Sequence, residues 1–152
     1  MLFRSLDCEK CTLPGIWRRA WANLEDKRSR RSVELSEEVS FEEETEFSID
    51  RKRLERVFRN LFENAMDACE DPVRICVSAD LLENSVVIVV ADNGPGMSLH
   101  QSKRAFDAFF TTKSTGTGLG LAIVHRIIEA HGGSIDISST DEGATFSITF
   151  PR

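Results

Sequence analysis

The chain has 152 residues, a net charge of −6, and apolar and charged fractions of 41% and 29%. That is enough for one globular domain with a real core, but not for two comfortable ones. The acidic balance, with no basic stripe able to track a phosphate backbone, excludes nucleic acid as the expected partner. No apolar run approaches the roughly 18 residues of a membrane span, and the first residues form no secretory signal. A cytoplasmic piece without direct membrane contact is expected, alone or as the soluble end of something membrane-bound. Its four cysteines then read as reduced thiols. Cys8 and Cys11 make half a zinc site, which Cys69 and Cys76 are spaced wrongly to complete.

Residues 1–13 show no clear pattern and read as a linker or the remnant of a preceding region. Pro14 opens a helix to about Asp26, with Ile16, Ala20, Trp21 and Leu24 on its apolar side. The runs Lys27–Arg31 and Glu42–Glu44 read as solvated charge. Val33–Val39 and Thr45–Ile49 alternate, giving two strands or one hairpin. Asp50 is a good N-cap for the helix that follows.

That helix, from about Arg51 to Glu70, organises the chain. At about 100° per residue, Leu54, Val57, Phe58, Leu61, Phe62, Ala65, Ala68 and Cys69 share a buried face. The opposite stripe holds Arg53, Arg56, Asn60, Glu63, Asn64 and Asp67. Asn60 and Asn64 stand at i and i+4, so their carboxamides point the same way from adjacent turns. Such oxygens suit Mg²⁺; equally, they tie down a neighbouring loop or are solvated.

Val73–Leu81 alternates strictly, a strand with one wet face. After the Glu83-Asn84 turn, Val86–Ala91 is an unbroken apolar run, predicting a central strand covered on both sides. Asp92-Asn93-Gly94-Pro95-Gly96 stops it abruptly. A short helix is expected around Gln101–Phe106, a largely apolar one over Leu119–His131 ended by Gly132-Gly133, and then a closing hairpin of Ser134–Ser139 and Thr145–Phe150. The sum is an α/β two-layer sandwich, with a mixed, largely antiparallel sheet and helices packed on one face.

Asp92 follows a buried strand directly, where open α/β layers place their ligands, and two glycines after it allow close backbone approach. It reads either as a strand-end cap or as a carboxylate accepting the exocyclic amine of adenine. Gly116-Thr117-Gly118-Leu119-Gly120 runs into the last helix and offers backbone N–H groups to an anion. It has neither dinucleotide-fingerprint nor P-loop spacing. Phe106–Lys113 between them reads as a docking loop with Lys113 near phosphates, or as a satellite cluster with a solvated lysine.

Together, NLFENAMDA, ADNGPGM, FDAFFTTK and GTGLGLA resemble the N, G1, F and G2 boxes of the ATP-binding catalytic domain of sensor histidine kinases. That family shares the GHKL superfamily, and its Bergerat-type fold, with DNA gyrase and a heat-shock chaperone. The resemblance spans about Thr12 to Arg152, so the domain is expected over 14–152. It implies ATP and Mg²⁺ as cofactors and transfer of the γ-phosphoryl group to a histidine. Asn64 becomes the metal ligand and Asn60 a polar partner, with Asp67 one turn further on. Asp92 becomes the adenine anchor, flanked by Gly94 and Gly96. Phe109, Thr112 and Lys113 fall in the ATP lid, and Gly116, Thr117, Gly118, Leu119 and Gly120 on the phosphate side. Asn60, Asn64 and Lys113 are the catalytic candidates.

Superfamily members that hydrolyse ATP carry Glu at the position of Asn60; an amide is no strong base, so kinase chemistry is favoured. Two positions depart from the family: Asp67 stands where many members are basic, and Ala108 replaces a common proline. His100, His125 and His131 all lack the family's phospho-acceptor context. The acceptor is therefore expected on a separate or truncated dimerisation domain, with a response regulator as further partner and this domain monomeric by itself. The alternatives are a GHKL-type ATPase, an anti-sigma-type serine kinase, or a non-catalytic ATP-sensing module.

Overall fold

The computed structural model describes residues 5–111 and 118–152. Strand β1 (Glu9–Thr12) leads into α1 (Leu13–Ala22) and a separate turn of helix, α2 (Glu25–Arg28). Next come β2 (Val33–Val39), β3 (Glu46–Ile49), α3 (Arg51–Ala68), β4 (Val73–Leu81) and β5 (Ser85–Asp92). The chain closes with α4 (Leu99–Arg104), α5 (Gly120–Ala130), β6 (Ser134–Thr140) and β7 (Gly143–Pro151).

The five-stranded sheet has the order β2-β4-β5-β7-β6. Only β2–β4 is parallel; β4–β5, β5–β7 and β6–β7 are antiparallel. The expected mixed sheet with helices on one face is therefore the observed one. Three details differ. Residues 9–12, which carry no readable pattern, pair antiparallel with β3 in a second, two-stranded sheet. β2 and β3 are consequently strands of different sheets and not a hairpin. And β5 is central but covered on one side only: Val86, Ile88 and Val90 are buried, whereas Val87, Val89 and Ala91 are half-exposed.

The core lies between the sheet and the helices. Its centre is α3, whose Leu54, Val57, Phe58, Leu61, Phe62 and Ala65 are buried as the helical period predicts. The face is rotated slightly from expectation: Met66 is buried and Ala68 exposed. The helix also stops at Ala68, with Cys69 in extended conformation at its C-cap. α1 packs alongside through edge-on aromatic contacts, Trp17 to Phe58 at 5.8 Å and Trp21 to Phe62 at 5.3 Å. Each such pair contributes about 0.5–1.5 kcal/mol beyond area burial. α5 flanks α3 on the other side, burying Val124, Ile127 and Ile128.

Asp50, only 5% exposed, locks these pieces in register. Its Oδ1 accepts the Arg53 N–H as the N-cap of α3, and its Oδ2 accepts the Asp7 N–H. Its own N–H donates to His131 Nε2, while His131 Nδ1 lies 2.8 Å from the Ile127 carbonyl. His131 thereby ties the C-terminal end of α5 to the start of α3.

Candidate functional site

The polar stripe of α3 faces the first turn of α5. The Asn60 carboxamide Nδ2 donates to the Gly120 carbonyl at 3.3 Å. A side chain at Gly120 would point at that carboxamide, its Cβ 3.9 Å from Asn60 Cγ. Asn64, one turn on, is half-buried on the same stripe. α5 begins here with Leu119 as its N-cap and no side-chain cap, so its first N–H groups and dipole end are directed at this space.

Glu63, a carboxylate on the same stripe of α3, is not a poised base. Lys27 Nζ sits 2.9 Å from its Oε2 and Arg59 Nε 3.0 Å from its Oε1. Burial alone raises the pKa of this carboxyl, but the hydrogen bonds from Lys27 and Arg59 outweigh it and hold the group below the ordinary range. Asp67 is exposed and lines a cleft with Asp26, Lys27, Arg30, Arg31 and Met66, on the α2 side of α3.

At the far end of β5, the Asp92 carboxylate is half-buried and held by two backbone donors on one oxygen. Gly94 N–H lies 2.9 Å and Ala144 N–H 3.1 Å from Oδ1. Beside it sits the buried Cys69 thiol, whose pKa is pushed up to about 11 by burial and by the negative charge of Asp92. Gly94 is required by this crowding, because a Cβ there would stand 2.9 Å from Cys69 Sγ. Gly96, at φ +76, would place a Cβ 2.0 Å from the Thr140 carbonyl oxygen. Asn93 staples the loop to the start of β4, its amide bridging the Arg74 N–H and the Pro72 carbonyl.

The F-box stretch closes on the loop before α5. Phe109, at φ 67 and 75% exposed, donates its N–H to the Gly118 carbonyl at 2.9 Å. Gly118, at φ +73, has no room for a Cβ against the Phe109 backbone. Phe106 stacks on His125 at 5.2 Å, and Arg104 lies over the Phe110 ring. Thr112, Lys113, Gly116 and Thr117 lie outside the described residues.

The structure therefore brings Asn60 to Gly120, with Asn64 one turn on along α3 and Leu119 capping α5, and it groups Asp92, Gly94 and Gly96 at the end of β5. Phe109 and Gly118 pair with each other just ahead of α5. The Gly143–Ala144 turn, Ser139, Cys69 and Asn93 were not legible as site residues. Gly143 in a hairpin turn was the one available signal, and it reads equally as a turn glycine.

Among the described residues, no group of three or more His, Cys, Asp or Glu side chains is arranged to hold a metal ion. A carboxamide donor fits Mg²⁺, which takes one or two protein oxygens and completes its shell with water and phosphate.

Residues 49–152 match the family model for histidine kinase-, DNA gyrase B- and HSP90-like ATPases. The sensor histidine kinase ZraS of Escherichia coli K12 is 42% identical over 107 residues, covering 70% of this chain and 23% of its own length. The chain thus spans about a quarter of that curated relative. The catalytic domain of the histidine kinase ThkA superimposes with a TM-score of 0.87 at 28% identity over 96% of both chains. ThkA solved with the response regulator protein TrrA superimposes at 0.81 and 26% identity, covering 95% of this chain and 41% of that one. The fold is that of histidine kinase catalytic domains, and the chain belongs to the histidine kinase-, DNA gyrase B- and HSP90-like family of ATP-binding domains.

Proposed function

We propose that this domain binds Mg-ATP between α3, the Asp92 loop and the N-terminus of α5, and passes the γ-phosphoryl group to a histidine on a dimerisation domain. A response regulator, of the kind solved with ThkA, is then the next acceptor. Asp92 accepts the adenine 6-amino group and so selects ATP over GTP, which would face it with another acceptor. Asn64 supplies the protein oxygen of the metal site, and Asn60, tethered to Gly120, keeps α3 and α5 at a fixed separation around the phosphates. Bound Mg²⁺ neutralises charge on the β- and γ-phosphates. Thr112, Lys113, Gly116 and Thr117 are assigned to the phosphate side by motif position alone.

The acceptor imidazole nitrogen attacks the γ-phosphorus, the bond to the β–γ bridging oxygen breaks, and ADP leaves. The domain contributes alignment and charge stabilisation and no base. The observation that carries transfer over hydrolysis is the state of Asn60 and Glu63. The first is an amide bonded to Gly120, and the second is an ion pair with Lys27 and Arg59.

The test is labelled ATP with an isolated phospho-acceptor domain. Acid-labile, base-stable label on the acceptor is expected, abolished by Asn64→Ala. Acid-stable label indicates a serine kinase, phosphate release without label an ATPase, and binding alone a sensing module.

A further inference from the structure

The closing hairpin does more than complete the sheet. Ala144, at its turn, gives its N–H to Asp92 Oδ1. Gly143, at φ +146, packs so tightly on the same residue that a Cβ would stand 1.9 Å from the Asp92 carbonyl oxygen. The Asp92 loop returns the contact, since Gly96 lies directly beneath the Thr140 carbonyl. One side chain joins both sides of this junction. The Ser139 hydroxyl accepts the Met97 N–H from the loop and lies 3.5 Å from the Gly143 carbonyl, to which it donates.

We infer that Ser139 is a positioning residue for base recognition, clamping the β6–β7 turn onto the 93–97 loop so that the Asp92 carboxylate is held in one orientation. The inference rests on Asp92 being the adenine anchor. A carboxylate fixed through one oxygen by two backbone donors on a glycine-rich loop keeps its direction only while those donors stay put. Gly94 belongs to the loop and Ala144 to the turn, 50 residues apart in sequence; the β5–β7 ladder, with Ala91 opposite Thr145, brings the strand ends together, and Ser139 ties the loop beyond Asp92 to that turn. Ser139 is half-buried and carries no charge, so its loss leaves the apolar core untouched. Losing the hydroxyl releases the Met97 N–H and the Gly143 carbonyl together, and Asp92 then samples orientations that do not meet the 6-amino group.

The experiment compares the affinities of Mg-ATP and of Mg-purine riboside 5′-triphosphate, which lacks the 6-amino group, by calorimetric titration. The proteins are wild type, Ser139→Ala and Ser139→Thr. Wild type should prefer ATP. Ser139→Ala should lose ATP affinity by about 3- to 10-fold, the weight of one hydrogen bond, with the analogue's affinity unchanged. Ser139→Thr, which keeps the hydroxyl, should restore the preference. Equal losses for both nucleotides, or none for ATP, overturn the inference. Wild type binding both alike overturns the Asp92 assignment itself. Should the alanine variant fail to fold, Ser139→Cys, with a weak S–H donor, carries the same comparison.

Discussion

Asp92→Asn removes a charge while keeping the side-chain volume, and the structure dictates how asparagine must sit. Both backbone donors, Gly94 and Ala144 N–H, fall on Oδ1. Asparagine keeps them by placing its carbonyl oxygen there, which puts its NH₂ where the second carboxylate oxygen was. For the fold, two hydrogen bonds to a charged acceptor become two to a neutral one, costing about 1 kcal/mol and lowering Tm by about 2–4 °C. For the ligand the change is larger, because the adenine 6-amino group now meets a donor. The lost charge-assisted bond and an unpaired polar group together cost about 2–4 kcal/mol, roughly a 30- to 700-fold loss in ATP affinity. A 6-oxo purine triphosphate, which offers an acceptor, should gain relative to ATP. Titration calorimetry with both nucleotides, alongside thermal melting, measures each part. A folded variant with wild-type ATP affinity would falsify the adenine assignment.

Gly143→Ala forces a methyl group against the Asp92 backbone at a φ of 146°, so it should cost about 1–3 kcal/mol and reduce ATP binding. Gly132→Ala, at φ +74 but with its nearest contact a tolerable 3.6 Å, should destabilise less and leave binding intact; equal effects at the two sites would refute the contact argument. Thiol alkylation of the native protein at pH 8 should modify the exposed Cys8 and spare Cys69, which is buried and has its pKa raised to about 11. Peptide mapping that finds Cys69 labelled as fast as Cys8 contradicts this. The Glu37 carboxyl is held below the ordinary range by hydrogen bonds from Arg18, which outweigh burial and are helped by the Trp17 indole. A folded-state pKa below the unfolded one stabilises above the unfolded value, about pH 4, and that stability fades as pH falls through the folded value. Arg18→Ala should therefore lower stability at neutral pH and make it less steep in acid, and an unchanged acid limb on denaturant titration would count against the pair.

Much of the molecule was written in local order. The period of Leu54, Val57, Phe58, Leu61, Phe62 and Ala65 specifies which face of α3 is buried, and Asp50 marks where that helix starts. The alternation of Val73–Leu81 specifies a one-sided strand, and four short motifs name the family to which the chain belongs. These are properties of neighbouring residues, and the sequence holds them complete.

What the sequence could not hold was which surface lies against which. Val86–Ala91 is apolar throughout, yet helices cover only one face of the sheet, and the other side of β5 lies beside Thr145, Ser147 and Thr149 of β7. β2 and β3 each alternate, but their partners are β4 and β1, chosen by contacts distant in the chain. The same holds at the site. Asp92 announces itself by following a strand and preceding two glycines, whereas the Ala144 amide that holds it, and the Ser139 hydroxyl that bonds its loop at Met97, belong to a hairpin about 50 residues later. Periodicity reports which atoms share a face; only folding brings a second face against it and decides which polar groups meet.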